Sequence, residues 1–228
     1  MLKGQGTNLA IIVKVPGSCG ELVQGMIDSR PFLVTCPINM FSTAAADKVT
    51  VKKHILDNKA GMALKFACQQ LETDENSIDI KLSSQLIKSK GMSSSSADIA
   101  AVCKATALLC STDMTDAAIA EIAAQIEPTD GVFCKGIVKF NHITGEILQY
   151  LGDPPPMKIA VFDCGGSVDT VVFNQRGELP YLNKQKECQI KEALELVEYG
   201  IRYNDITAIG RGATISALAN QPILYKED

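Results

Sequence analysis

The spacing of apolar positions divides the chain into short predicted strands and longer predicted helices. Residues 8–15 (NLAIIVKV) are apolar and β-branched, and residues 77–82 (SIDIKL) alternate apolar with polar side chains, which is typical of strands. Residues 58–72 repeat their large apolar side chains at helical spacing. The prediction comprises strands at 8–15, 21–26, 31–41, 48–54, 77–82, 132–140, 146–151, 158–164 and 169–174, and helices at 58–72, 97–109, 114–126, 184–200 and 204–219.

The order of these elements predicts an α+β protein. Strands and helices do not alternate regularly, as they would in a doubly wound parallel sheet. The run Asp-Pro-Pro-Pro at residues 153–156 is the clearest break, because consecutive prolines form a stiff, extended connector. It predicts a division of the chain into residues 1–153 and residues 157–228.

Composition narrows the class of protein. The 228 residues carry a formal net charge of −4, which gives no electrostatic reason to expect nucleic acid or an anionic membrane as a partner. No apolar run approaches the length of a membrane span, and the amino-terminal residues do not resemble a signal peptide. The eight cysteines include no CxxC pair, which argues against a zinc site and favours reduced thiols. We therefore expect a cytoplasmic protein.

Candidate chemistry is concentrated in residues 88–99 (KSKGMSSSSADI), where a polar loop runs into the alanine-rich predicted helix. A helix start has unpaired N–H groups and the positive end of the helix dipole, both of which stabilise an anion. Gly91 allows close backbone approach, and Lys88 and Lys90 add positive charge. The segment predicts a phosphate cradle, although serines before a helix are often only caps. It does not match the Walker A pattern.

Residues 91–97 (GMSSSSA) resemble the GLGSSAA-type phosphate loop of the GHMP kinases, a family that includes galactokinase, homoserine kinase and mevalonate kinase. Three other stretches are similar to family motifs in the same order. They are residues 15–25 (VPGSCGELVQG), which resemble the amino-terminal APGKxxLxGE motif, residues 127–131 (EPTDG), where the family commonly places an acid, and residues 210–217 (GRGATISA), which resemble the helix before the third motif.

The resemblance implies a two-lobed GHMP kinase-like fold and ATP with Mg²⁺ as the phosphate donor. Residues 1–153 would form the ATP-binding lobe, like domain 2 of ribosomal protein S5, and residues 157–228 part of the carboxyl-terminal lobe. The resemblance assigns nucleotide binding to the loop residues, which are Lys90, Gly91, Met92, Ser93, Ser94, Ser95, Ser96 and Ala97. It also assigns Mg²⁺ to Ser95, with Glu121 as the first choice of carboxylate partner and Glu127 as the second.

Asp130 is the predicted catalytic residue. It would accept the proton of the substrate hydroxyl or hold the substrate amine, and the alternative is an ordinary turn aspartate. The predicted substrate contacts are Ser18, Glu21, Thr129 and Asp169.

Two departures from the family pattern shape the expected mechanism. Ser18 stands where some members have a lysine that pairs with the catalytic aspartate, so direct attack by the substrate hydroxyl becomes the better expectation. The glycine-rich third motif does not occur in the sequence. We expect an incomplete carboxyl-terminal lobe, either because the chain is truncated or because the lobe is completed otherwise.

The combination of motifs most resembles the L-threonine kinase branch, which phosphorylates threonine for the linker of the cobalamin nucleotide loop. The resemblance therefore implies a small amino acid as partner, and leaves a homodimer open. Two alternatives remain at this stage. One is homoserine kinase-like activity, and the other is a truncated, non-catalytic GHMP-fold protein that binds ligands or regulates a partner.

Overall fold

A computed structural model describes residues 10–163, 165 and 177–222 of the protein. Seven strands and six α-helices lie in these ranges, together with one short 3-10 helix at Glu75–Ser77. The strands are β1 (Ile11–Pro16), β2 (Glu21–Ile27), β3 (Arg30–Thr35), β4 (Phe41–Lys48), β5 (Ile78–Ser84), β6 (Ile137–Phe140) and β7 (Ile147–Gly152). The helices are α1 (Asn58–Gln70), α2 (Ser94–Leu109), α3 (Asp116–Ile126), α4 (Leu179–Gln185), α5 (Glu187–Tyr203) and α6 (Ile206–Asn220).

The first sheet has the strand order β1-β4-β5, with both pairs antiparallel. Helix α2 packs on β4 and β1, and helices α1 and α3 pack on α2. Ala44 and Ala46 on the central strand are fully buried, as are Ala97 and Ala100 on α2. These small side chains let helix and sheet approach closely, which brings the start of α2 beside the sheet.

The second sheet has the order β2-β3-β6-β7, again with antiparallel pairs. Helices α5 and α6 pack against each other and against β2. The resulting apolar cluster joins residues from both sides of the proline run, among them Val23, Phe32, Ile190, Val197 and Ile209. The division into residues 1–153 and 157–228 stays a prediction.

The α+β class and most predicted elements are confirmed, with ends shifted by a few residues. Three strand predictions were wrong. The predicted strand 31–41 ends at Thr35, and the strand predicted at 48–54 lies earlier, at Phe41–Lys48. Residues 158–163 form no strand. The strand predicted at 169–174 lies outside the described residues.

Alanine explains why the central strand was missed. Residues 44–46 are three alanines, which have low intrinsic strand preference, but Ala44 and Ala46 are fully buried where α2 packs on the strand, and this position requires small side chains. Across the described ranges, the helices are too short or too polar for any of them to cross a bilayer.

Candidate active site

The loop before α2 has an unusual backbone. Ser89, Gly91 and Ser93 all have positive φ, at 62°, 67° and 52°, so left-handed residues recur at every second position. Such turns direct successive N–H groups toward one side and make anion-binding concavities. At Gly91 a Cβ would meet no atom within 4 Å, so the loop is open at this point.

Ser93 occupies the N-cap position of α2, yet its side chain makes no capping hydrogen bond. The Ser93 hydroxyl therefore does not accept from an N–H of the first turn, as it would if its role were capping. The amino end of α2 keeps its N–H donors and its dipole available to an anion. This geometry supports the phosphate cradle over the interpretation of the serines as caps alone.

The hydroxyl of Ser93 instead lies 2.5 Å from the hydroxyl of Ser18, and Ser18 is fully buried. The backbones of the two loops are also joined. The N–H of Ser18 donates to the carbonyl of Met92 at 3.2 Å, and the N–H of Gly20 donates to the carbonyl of Gly91 at 2.9 Å. The first predicted motif and the serine loop thus form one unit.

Ser96 connects this unit to the EPTD turn. Its hydroxyl oxygen accepts from the Thr129 hydroxyl at 3.0 Å and from the Asp130 N–H at 3.1 Å. Ser96 and Thr129 are both buried, and the N–H of Thr129 donates to the carbonyl of His142 at 2.9 Å. The turn is therefore fixed against the first turn of α2.

Asp130 faces Ser93 from this turn. Burial raises the pKa of the Asp130 carboxyl, a hydrogen bond from Ser93 opposes that change, and the negative charge of Glu127 raises the pKa further. A carboxylate with a raised pKa is a stronger proton acceptor than an ordinary surface aspartate. Asp130 is thus suited to take a proton from a hydroxyl held beside it.

Glu127 has one oxygen engaged and one free. Its Oε2 lies 2.5 Å from Nζ of Lys59, while its Oε1 is buried and has no hydrogen-bond partner. Buried polar atoms nearly always have partners, so a free carboxylate oxygen at this position requires an explanation. A bound cation would supply one.

The donors near the serine loop fit Mg²⁺. This ion prefers oxygen ligands, and proteins commonly hold it with one or two carboxylates together with substrate phosphates. Glu127 offers a free carboxylate oxygen, and Ser95, which is partly exposed in the first turn of α2, offers a hydroxyl. Within the described ranges no three His, Cys, Asp or Glu residues cluster as an all-protein metal site.

The two lysines of the serine loop are held by carboxylates. Nζ of Lys88 lies 2.7 Å from Asp57, the N-cap residue of α1, and Nζ of Lys90 lies 2.7 Å from Asp163. Each pairing keeps an ammonium group close to the loop. The hydrogen bond from Lys88 lowers the pKa of the Asp57 carboxyl.

Comparison with known proteins places this geometry in a family. The model of the GHMP kinases N terminal domain matches residues 56–136, which include α1, the serine loop and the EPTD turn. The L-threonine kinase of Salmonella typhimurium is 30% identical over 229 residues, covering 97% of this chain and 74% of the relative. The chain belongs to the GHMP kinases.

Two further proteins agree with this assignment. The L-threonine kinase of Citrobacter freundii is 27% identical over 220 residues, covering 95% of this chain and 76% of that relative. The crystal structure of Methanococcus jannaschii mevalonate kinase has a TM-score of 0.59 at 13% identity, covering 94% of this chain and 80% of that one. This GHMP kinase is accordingly a phosphotransferase whose acceptor is a hydroxyl group.

The fold of this GHMP kinase brings together most of the residues predicted for its site. Contacts join Ser18, Ser93, Ser96, Thr129 and Asp130 into one network. For three other predicted residues no contact with this network is established. Glu21 begins β2, Glu121 is exposed on α3, and Asp169 lies outside the described residues. The role of each remains a prediction.

Sequence reasoning missed two residues at the start of α1, the N-cap Asp57 and Lys59 in the first turn. Asp57 could have been found, since an aspartate directly before a predicted helix is a common N-cap, and its side chain does accept from the Ala60 N–H. Lys59 carries no such signal. Its partner Glu127 is 68 residues away along the chain, and only the packing of α1 beside α3 brings the two together.

Proposed function

We propose that this GHMP kinase transfers the γ-phosphoryl group of ATP to the hydroxyl of L-threonine, giving L-threonine O-3-phosphate. The observation that carries the proposal is the 30% identity to the Salmonella typhimurium L-threonine kinase across 97% of this chain. The role in cobalamin biosynthesis implied by the resemblance is part of the same proposal.

The site supports the reaction in three ways. The amino end of α2 and the left-handed loop before it provide N–H donors for the phosphates. Ser95 and Glu127 would hold Mg²⁺, which neutralises the charge on the transferring group when bound. Asp130 lies against the first turn of α2, so a threonine hydroxyl bound there would have a proton acceptor beside it.

The transfer is balanced as a single displacement. The threonine oxygen forms a bond to the γ-phosphorus, and the bond from that phosphorus to the β,γ-bridging oxygen breaks, leaving ADP. The hydroxyl proton passes to Asp130 or to a phosphate oxygen. Because Ser18 rather than a lysine stands beside Ser93, no ammonium group at residue 18 assists this step.

The test is phosphorus NMR of purified protein with Mg²⁺-ATP and threonine, serine or homoserine in separate reactions. We expect a phosphomonoester signal with threonine, a much weaker signal with the other two amino acids, and loss of at least about 100-fold in rate for Asp130→Asn. Preference for homoserine would contradict the substrate assignment. A folded protein that binds ATP without forming any phosphomonoester would instead favour a non-catalytic member.

A further inference from the structure

We propose that Lys59, in the first turn of α1, is a positioning residue that holds Glu127 with one carboxylate oxygen directed to the metal–nucleotide. The proposal rests on the proposed use of a metal–nucleotide at this site. It does not depend on which amino acid is the acceptor.

The exposure of the two partners is unequal. The side chain of Glu127 is 4% exposed, whereas that of Lys59 is 48% exposed. An isolated buried carboxylate is strongly unfavourable, so Glu127 needs a cation or donors nearby. Among the described residues, the recorded partner of its carboxylate is Lys59.

The backbone of Glu127 is fixed by the end of α3, and its side chain is held by Lys59. Glu127 is the last residue of the turn that ends α3, with extended φ and ψ, and its N–H donates to the carbonyl of Ala123 at 3.0 Å. Pro128 follows directly and restricts the backbone further. The main chain is therefore fixed, and the 2.5 Å contact to Lys59 holds one carboxylate oxygen and leaves the other one free.

A purely structural ion pair does not account for the second oxygen. In a structural pair, the buried Oε1 would also find a donor, because an unsatisfied buried acceptor is destabilising. Here Oε1 has none, and Glu127 lies three residues before Asp130, whose N–H donates to the Ser96 hydroxyl in the first turn of α2. Lys59 compensates the buried charge from one side and leaves the other side open.

The same end of α1 also contacts the serine loop. Asp57 caps the helix by accepting from the Ala60 N–H at 3.0 Å and pairs with Lys88 of the serine loop at 2.7 Å. Asp57 and Lys59 are two residues apart. Asp57 contacts the serine loop and Lys59 contacts the EPTD turn, and the nucleotide phosphates and their metal would lie between these two segments.

The experiment measures ADP binding to the full chain by calorimetry, with and without Mg²⁺. Lys59→Met removes the ammonium group while keeping an unbranched chain, and Lys65→Met is the matched control on the exposed face of the same helix. We expect Lys59→Met to reduce the Mg²⁺-dependent gain in ADP affinity by about 10- to 100-fold, as for other residues that orient a metal ligand. Mg²⁺-free ADP binding and the Lys65→Met variant should stay unchanged.

Kinetics and a conservative variant complete the test. Lys59→Met should raise KM for Mg²⁺-ATP more than it changes KM for the acceptor, and Lys59→Arg should recover most of the loss. Equal weakening of ADP binding with and without Mg²⁺, or an effect on melting temperature alone, would show a structural role and overturn the proposal. Glu127→Gln without any effect on the Mg²⁺-dependent gain would overturn it as well.

The two proposals fail separately. If threonine is not phosphorylated but Lys59→Met still removes the Mg²⁺-dependent gain, the substrate assignment is wrong and the role of Lys59 stands. If Lys59→Met yields too little folded protein, Lys59→Gln replaces it in the same measurement. A reduced Mg²⁺-dependent gain in ADP affinity supports the proposal, and an unchanged gain overturns it.

Discussion

Neighbouring serines in the first turn of α2 have opposite surroundings. Ser96 is buried and accepts two hydrogen bonds, from the Thr129 hydroxyl and the Asp130 N–H. Ser95 is partly exposed, and the sequence resemblance predicts it as a ligand of Mg²⁺. One serine thus holds the site in shape, while the other is available to its ligands.

Replacing each serine by alanine should separate these roles. Ser96→Ala leaves two donors without their acceptor and should lower the free energy of unfolding by about 1–3 kcal/mol. Ser95→Ala should change stability by less than about 0.5 kcal/mol but lower turnover roughly 10- to 150-fold, the range expected for one contact to a charged group. Chemical denaturation and steady-state kinetics on the two variants measure both effects. An unchanged rate for Ser95→Ala would remove Ser95 from the metal site.

The sequence predicted these residues as members of the site but not their individual contacts. The serines, Asp130 and Ser18 all belong to recognisable motifs, and their polarity at a helix start indicates their chemistry. Which serine caps, which bridges and which stays free depends on backbone angles. The positive φ of Ser93 turns its hydroxyl toward Ser18, 75 residues away in sequence, and no local pattern contains that information.

At the scale of elements, the site depends on close docking of two loops. Gly17 lies where a Cβ would come within 2.5 Å of the Met92 carbonyl oxygen and 2.4 Å of a Leu86 methyl carbon. The leucine end can rotate away, but the carbonyl belongs to the serine loop and accepts from the Ser18 N–H. Any side chain at residue 17 therefore pushes on the loop that would bind phosphate.

We expect Gly17→Ala to destabilise the protein by about 1–3 kcal/mol and to weaken ADP binding, because the two loops must separate. Gly61→Ala is the matched control, since a Cβ at this helical position meets no atom within 4 Å. The control should instead stabilise the protein by about 0.5–1 kcal/mol through higher helix propensity. Thermal unfolding and calorimetry on the two variants make the comparison. Equal effects from both glycines would contradict the close docking of the loops.

Most helices and the outer strands were predictable from periodicity, because their apolar faces repeat at a regular spacing. The central strand β4 was not, because its alanines are selected by packing under α2 rather than by strand preference. Similarly, the spacing of residues 58–72 predicts a helix but does not show that its first turn contacts both the serine loop and Glu127.

For the whole molecule, the second sheet connects distant parts of the chain. Helices α5 and α6 cover β2, and Ile190 on α5 is fully buried against Gly25, where a Cβ would approach its side-chain carbons to 2.8 Å. Hydrogen bonds also join β2 to α6. The Ser216 hydroxyl accepts from the Gln24 N–H at 3.0 Å, and the Asn220 amide donates to the Gln24 carbonyl at 3.0 Å.

A double-mutant cycle tests this contact. Ile190→Ala should lower stability by about 2–5 kcal/mol through the cavity it leaves. Gly25→Ala should cost about 1–3 kcal/mol in the native background, where the added methyl group meets Ile190. In the Ile190→Ala background the same methyl group has room, so its cost should fall by at least about 1 kcal/mol. Additive losses in denaturant unfolding would show that residues 25 and 190 do not pack together.

The long separation between β2 and its covering helices has a consequence for synthesis on the ribosome. Gln24 and Asn220 are 196 residues apart, and at typical elongation rates of about 5–20 residues per second this corresponds to roughly 10–40 s. During that interval Val23 and Phe32 have been translated, but the helices that bury them have not emerged. The nascent chain therefore exposes an apolar sheet surface for many seconds, and its yield in the cell depends on how well chaperones shield that surface until α6 is made.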